Sequence, residues 1–266
     1  PDLVQVAGVA PIILYHAASD EVITVSGLGW WPKATRLETY INEYGGKIPV
    51  GLARAVVPAA PDAWIKVLQR YGTMTFGEVA SHAMRYAREG FSIHPLLAEN
   101  IDTHQDLLRG WPASAEVFLP NEQPLQTGEL IIQRDLAKCI QYMIDEETAA
   151  SGQGREAALE AARSAFYKGD IAKTITSYHA QNGGLLTMED MAEYSSAFEA
   201  PVKRSYKGFG DPIDVYTCGP WCQGPVLLEM LSIIEGVELK EMGYNSGDYV
   251  HFLTEAMKLA FADREA

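Results

Sequence analysis

The sequence predicts an α/β fold. Short apolar runs open the chain, a long middle section has helical periodicity, and strand and helix patterns return towards the end. Residues 12–15 and 22–25 are short apolar runs separated by Ala17-Ala18-Ser19-Asp20-Glu21. They predict a hairpin buried on both faces, because a strand wet on one side alternates polar with apolar residues. Glycine and proline are thinly spread, and there is no linker, repeat or low-complexity tract. One domain over residues 1–266 is therefore expected.

Taken in order, Gly27, Gly29 and Pro32 end the hairpin, and Gly45-Gly46 marks a further turn. Trp64, Val67, Leu68 and Tyr71 fall at i, i+3, i+4 and i+7, with Asp62 at the acidic start and Gly72 at the stop. Phe76, Val79, Ala80, Ala83 and Ala87 repeat the spacing, with Thr75 as N-cap and Gly90 as terminator. Leu136, Cys139, Ile140, Met143 and Ile144 form a third stripe. Tyr249, Phe252, Leu253, Ala256 and Ala260 form a fourth. Each stripe is expected to face a core. Between them, residues 166–206 read as helix, tight turn at Gly169-Asp170, helix, break at Gly183-Gly184, then strand. Thr187 and Asp190 have the spacing of a capping box. Residues 201–206 and 214–217 predict strands, and 226–234, apolar almost all round, predicts a buried helix.

Composition narrows the function classes. A net charge of −14 and a pI near 4.8 make a surface that repels phosphate backbones, so no nucleic-acid partner is expected. No apolar run approaches the roughly 18–20 residues that span a bilayer, so no membrane partner is expected. The chain starts with Pro1 rather than Met and shows no leader, as a fragment or processed product would. The compartment, cytoplasmic or periplasmic, is left open. Of the three cysteines, Cys139 is placed on a core face, and Cys218 and Cys222 lie close together without a second Cys or His pair to bind metal. No P-loop, dinucleotide fingerprint, HExxH or GxSxG occurs, and the six histidines lack ligand spacing, so no metal or cofactor is expected. A Cys222–His dyad has no sequence feature to select its partner. His82 is expected half-exposed on its helix, and Glu146-Glu147 and Glu189-Asp190 are expected to face water. The residues alone thus describe a soluble α/β domain with no self-sufficient catalytic constellation.

The wording of several segments resembles one family, the γ-glutamyltransferases. FYKGDIA, then GGLLTMED, Tyr194, Pro201-Val202 and Tyr206, resemble its FY-x-G-x-I-A … GG-x-x-T-x-x-D-x-x-x-Y … P-V … Y phrase. Val57-Pro58, Ala63-Trp64 and Leu68-x-x-Tyr71-Gly72-x-Met74-Thr75-Phe76 are similar to a second section, and AMRYAREGF (83–91) to a third. Residues 220–235 resemble its PPPSSGG segment and the helix after it, and EAMKLAFADR (255–264) its ADR segment. The order is kept along nearly the whole chain.

The resemblance implies the large-subunit part of a four-layer αββα N-terminal-nucleophile hydrolase sandwich. It also implies self-cleavage of a precursor and a companion small subunit that begins with the threonine nucleophile, whose own amine can act as base. That nucleophile would follow the ADR segment, beyond Ala266, so no catalytic residue is placed in this chain and a hetero-oligomer is expected. Glutamate-binding members carry D-F-R-E-x-A-P, whose arginine holds the substrate α-carboxylate; aligned on Pro32, Leu28 stands at the arginine. Lys33 and Arg36 lie nearby. The family's serine pair aligns with Cys222-Gln223, followed by Gly224. Trp30, Trp31, Cys222, Gln223 and Gly224 are therefore the expected substrate-binding residues, with Trp30 and Trp31 as an apolar or stacking wall. The implied activity is hydrolysis or acyl transfer on a small-molecule amide, and the departures at Leu28 and Cys222-Gln223 point away from a γ-glutamyl compound as that amide. A true γ-glutamyltransferase using Lys33 or Arg36, and an inactive binding or structural relative, are the alternatives.

Overall fold

The computed structural model describes residues 5–208 and 210–265; the two chain ends, Pro1 and Ala266, lie outside them. In chain order the elements are β1 (Ile12–His16), β2 (Glu21–Val25), α1 (Leu37–Tyr44), α2 (Ala60–Tyr71), α3 (Phe76–Glu89), β3 (Phe91–Ser92), α4 (Pro95–Thr103), α5 (Gln105–Arg109), α6 (Pro112–Phe118) and β4 (Leu130–Ile131). There follow α7 (Arg134–Ala150), α8 (Arg155–Tyr167), α9 (Asp170–Gln181), α10 (Met188–Glu193), β5 (Phe198–Glu199), β6 (Val202–Tyr206), β7 (Ile213–Thr217), α11 (Gly224–Ile234), α12 (Leu239–Met242) and α13 (Gly247–Glu265). The chain divides into two compact units. One holds residues 5–9 and Gly29–Ser195, the other Ala10–Leu28 and 196–265. None of the described helices is long and apolar enough to cross a membrane.

The first unit is helical. α7 packs against α8 and α3, and α2 against α8, around a core in which Ile65, Leu159, Ala162, Tyr167, Ala172 and Met191 are sealed from water. A second cluster, with Ile93, Leu97, Ile101, Leu119 and Ile131, joins α4 to the small antiparallel β3–β4 ribbon. α3 starts where sequence places it: Thr75 and Glu78 form a complete capping box, and Gly90 ends the helix. Its inner face differs in part from the expected stripe. Phe76, Ala80, Met84 and Ala87 turn inward, while Val79, Ala83 and His82 are exposed. α2 differs more. Its buried residues are Ala60, Pro61, Asp62, Ala63 and Ile65, and Trp64 is on the outside flank. The reason is Asp62, whose carboxylate can be buried because Arg163 pairs with it. α1 was not anticipated; it closes on Gly45 in the left-handed region (φ 61°), with Tyr40 inward.

Two carboxylates expected to face water are buried, each for the same physical reason. Glu147 of α7 accepts the N–H groups of Phe76 (2.6 Å) and Gly77 (2.8 Å), which the first turn of α3 leaves without helical partners. Asp190 accepts from Thr187 and from the Lys33 N–H. Glu146 and Glu189 do face water.

The second unit carries the other two sheets. β1, β2 and β5 form an antiparallel sheet in that order, with Ile12 opposite Val25 and Thr24 opposite Glu199. The hairpin is real, but not buried on both faces. β1 is an outer strand, and Ile13 and Tyr15 on one side of it are exposed. β6 and β7 pair antiparallel, Val202 opposite Thr217. α11 packs on β6, β7 and α13. It buries Val226 and Leu228 only, leaving Leu227 46% exposed, so the expected all-round burial of 226–234 does not hold among the described residues. In α13, Ala256 and Ala260 are buried, and Tyr249, Phe252 and Leu253 are half-buried.

Candidate functional site

In the first unit the chain from Gly29 to Arg36 runs tightly past residues 56 and 57. A Cβ on Gly29 would lie 2.1 Å from the Val57 carbonyl, and the Val57 N–H donates to the Trp30 carbonyl (2.9 Å). This close approach requires glycine. It presents Trp30 and Trp31 outward, 51% and 44% exposed, so neither is a core residue of this unit. Each rests on a tyrosine edge: Trp30 on Tyr194 (5.2 Å between centroids) and Trp31 on Tyr40 (5.8 Å).

The tyrosine under Trp30 is held by a buried network. Tyr194 stacks on Tyr167 (5.8 Å), whose hydroxyl donates to the Pro58 carbonyl (2.7 Å) and accepts from the Asp62 N–H (3.1 Å). Burial, with the Asp62 charge nearby, pushes the Tyr167 hydroxyl well above its ordinary pKa, so it stays a neutral donor. Arg163 bridges the Asp62 carboxylate and the Tyr194 carbonyl (2.6 Å).

Lys33 follows the tryptophans. Its ammonium sits between Glu189 and Glu193 of α10, 2.6 Å from each, and the hydrogen bond to Glu189 followed by that to Glu193 raises its pKa well above the usual lysine range. Its N–H donates to Asp190 (2.9 Å). Burial works to raise the Asp190 pKa, but the hydrogen bonds from Thr187 and Lys33 outweigh it and hold the carboxyl below the usual range. Arg36 turns back to donate to the carbonyls of Lys33 (2.8 Å) and Thr35 (2.9 Å). Sequence missed this arrangement. The available sign was Glu189 and Glu193 at i, i+4, one face of a helix.

In the second unit, the loop from Cys218 to Gln223 joins β7 to α11. Cys222 takes the role of a helix cap: its sulfur accepts the Gly224 N–H (3.2 Å), and its thiol donates to the Gly219 carbonyl (3.4 Å). A thiol thus does what a serine hydroxyl does at a cap. The Cys218 thiol donates to the Ile12 carbonyl (3.8 Å), and the Trp221 indole donates to Glu199 (2.7 Å). Trp221 is half-buried and Gln223 exposed. Gly224 has no room for a side chain, since a Cβ would meet the Thr217 side chain at 2.6 Å and the Cys218 carbonyl at 2.8 Å. The structure brings Cys222, Gln223 and Gly224 together in this loop, and Trp30 with Trp31 in the other unit. Leu28, half-buried, ends the segment that follows β2. Among the described residues no group of three or more His, Cys, Asp or Glu side chains is placed to hold a metal.

The family model for gamma-glutamyltranspeptidase matches residues 8–266. The chain is 36% identical over 219 residues to the acylase ACY 1 proenzyme of Pseudomonas sp. (strain V22), covering 81% of this chain and 35% of that protein. It is 32% identical over 199 residues to the glutathione hydrolase proenzyme of Escherichia coli (strain K12), covering 74% and 31%. It spans about a third of the length of these two relatives. The solved Helicobacter pylori gamma-glutamyltranspeptidase superposes with a TM-score of 0.85 at 24% identity, over 98% of this chain and 71% of that one, and shares the fold. With a family model matched over almost its whole length and an α/β fold shared with a solved member, the chain belongs to the gamma-glutamyltranspeptidase family, as part of the large subunit.

Proposed function

We propose that the chain is the large-subunit portion of a gamma-glutamyltranspeptidase-like amide hydrolase or acyltransferase. Its threonine nucleophile belongs to a companion small subunit of the same precursor, and its substrate is a small amide that is not a γ-glutamyl compound. On this proposal the chain is one domain that is incomplete without the companion. Trp30 and Trp31 form an apolar wall for the substrate, and Cys222, Gln223 and Gly224 offer it hydrogen-bonding groups.

The state of Lys33 carries the substrate part of this reading. A substrate α-carboxylate needs a cation with hydrogen-bonding capacity to spare. Leu28 supplies none. The Lys33 ammonium is already shared by two carboxylates, and Arg36 is turned to backbone carbonyls. The more similar of the two relatives is an acylase, which fits the same choice.

The test is turnover by the full-length protein. A charge-assisted contact contributes about 1.5–3 kcal/mol, so γ-glutamyl-p-nitroanilide is expected to react at least about tenfold more slowly than a simple acyl-p-nitroanilide. Leu28→Arg should narrow that gap. Efficient wild-type turnover of the γ-glutamyl substrate would instead favour a true γ-glutamyltransferase. Native material that shows one uncleaved chain, with no companion beginning in threonine and no turnover of either anilide, would favour a binding or structural relative.

A further inference from the structure

We propose that Cys218 and Cys222 form a reversible thiol–disulfide site that reacts with small-molecule disulfides. The two cysteines bracket Gly219-Pro220-Trp221 in the turn between β7 and α11, and the chain folds back within it, the Cys222 N–H donating to the Gly219 carbonyl (3.2 Å). Both are half-buried, reduced thiols. The expected function uses Cys222 only as a polar wall and leaves Cys218 without a role.

The two sulfurs are not equivalent. Cys222 Sγ receives the Gly224 N–H at the start of α11. Cys218 Sγ is turned to the Ile12 carbonyl. Burial pushes the Cys218 thiol up, and its direct interaction with Cys222 adds to this. Cys222 is therefore the attacking thiol and Cys218 the resolving one. The Cys222 thiolate attacks one sulfur of a disulfide RSSR, forming Cys222–S–S–R and releasing RS⁻, which takes up the proton that Cys222 lost. The Cys218 thiolate then attacks the Cys222 sulfur, the Cys218–Cys222 bond forms, and a second RSH leaves. Two protein thiols are oxidised and one RSSR is reduced to two RSH.

Trp221 is tied to Glu199, and Gly224 is pressed against Thr217, so the ends of the turn are fixed. Closure takes the Cys222 sulfur from its contacts to Gly224 and Gly219, and the Cys218 sulfur from the Ile12 carbonyl. Cys139, on α7 in the first unit, has no second cysteine near it in sequence, and burial raises its thiol.

The experiment treats the full-length protein with 2-hydroxyethyl disulfide, then alkylates it under denaturing conditions and maps the peptides by mass. A Cys218–Cys222 crosslink with Cys139 alkylated is expected. Cys218→Ser should instead trap hydroxyethyl mixed disulfide on Cys222. Mixed disulfides without a crosslink in the wild type, Cys139 reacting as fast, or Cys222 left unmodified in Cys218→Ser would each overturn the proposal. A second readout, amide turnover, rests on the substrate-facing role proposed for the loop. Oxidation should lower it at least several-fold, dithiothreitol should restore it, and Cys218→Ser should be insensitive. A crosslink that leaves turnover unchanged upholds the disulfide site and refutes that role of the loop.

Discussion

The helical unit seals Ile65, Leu159, Ala162 and Tyr167 completely, whereas the sheet-bearing unit leaves Ile13, Tyr15 and Leu227 about half exposed. Among the described residues, both apolar clusters of buried residues fall in the helical unit. The difference follows from element geometry. Helices α2, α3, α7, α8 and α9 each offer a stripe that the others cover, and the buried ion pair of Asp62 with Arg163 is held inside that packing. A short sheet and an all-apolar helix have two faces to cover, and the described residues cover one of each. An apolar pattern therefore reports what a segment can bury, not how much of it this chain buries.

The contrast is open to measurement. The largest effect is expected from Asp62→Ala, which leaves the buried Arg163 guanidinium with only the half-exposed Glu160 carboxylate and should cost about 3–5 kcal/mol of unfolding free energy in a urea titration. A loss below about 1 kcal/mol would mean that the helical unit does not depend on the pair. Next, Leu159→Ala should cost about 2–5 kcal/mol, against no more than about 0.5 kcal/mol for Leu227→Ala. Equal losses in the full-length protein would break the comparison, because Leu227 would then be covered by something outside the described residues.

The smallest effect concerns acid. The Asp190 carboxyl is held below its ordinary pKa, so its contribution is complete above about pH 4, the unfolded value, and is lost as pH falls through the lower folded value. Asp190→Asn should lower stability by about 0.5–2 kcal/mol at neutral pH and flatten the decline below pH 4. Parallel acid profiles for the wild type and the variant would remove Asp190 from the explanation.

What sequence could show depended on how far apart the partners lie. The N-cap at Thr75 and the box of Thr187 with Asp190 are local signals, and both were legible, though the part of Glu78 in the first was not read. So were the Gly169-Asp170 turn, strands β6 and β7, and the inner face of α7. Glu147 caps α3 from about seventy residues away, and Arg163 lies still further from Asp62, so each acid looked like a surface residue or a helix start. The tryptophan-led stripe of α2 misled for a related cause: Trp64 carries most of the pattern's apolar weight, but a paired aspartate decides which face turns inward. At the candidate site, the outward Trp30 and Trp31 and the loop position of 222–224 follow from glycines visible in sequence. The clamp on Lys33 does not, since its carboxylates are more than 150 residues away.

Gly224 sets a rule for how this loop can evolve. The Thr217 side chain and the Cys218 carbonyl occupy the space of any Cβ there, so position 224 is fixed by contacts beyond those of the side chains at 222 and 223. The identities of those two positions can drift, serine to cysteine or glutamine, while the loop keeps its shape. In a saturation scan, position 224 should accept glycine alone and position 223 almost anything that folds. Such a loop lets a lineage change the chemistry it offers a substrate without rebuilding the scaffold beneath it.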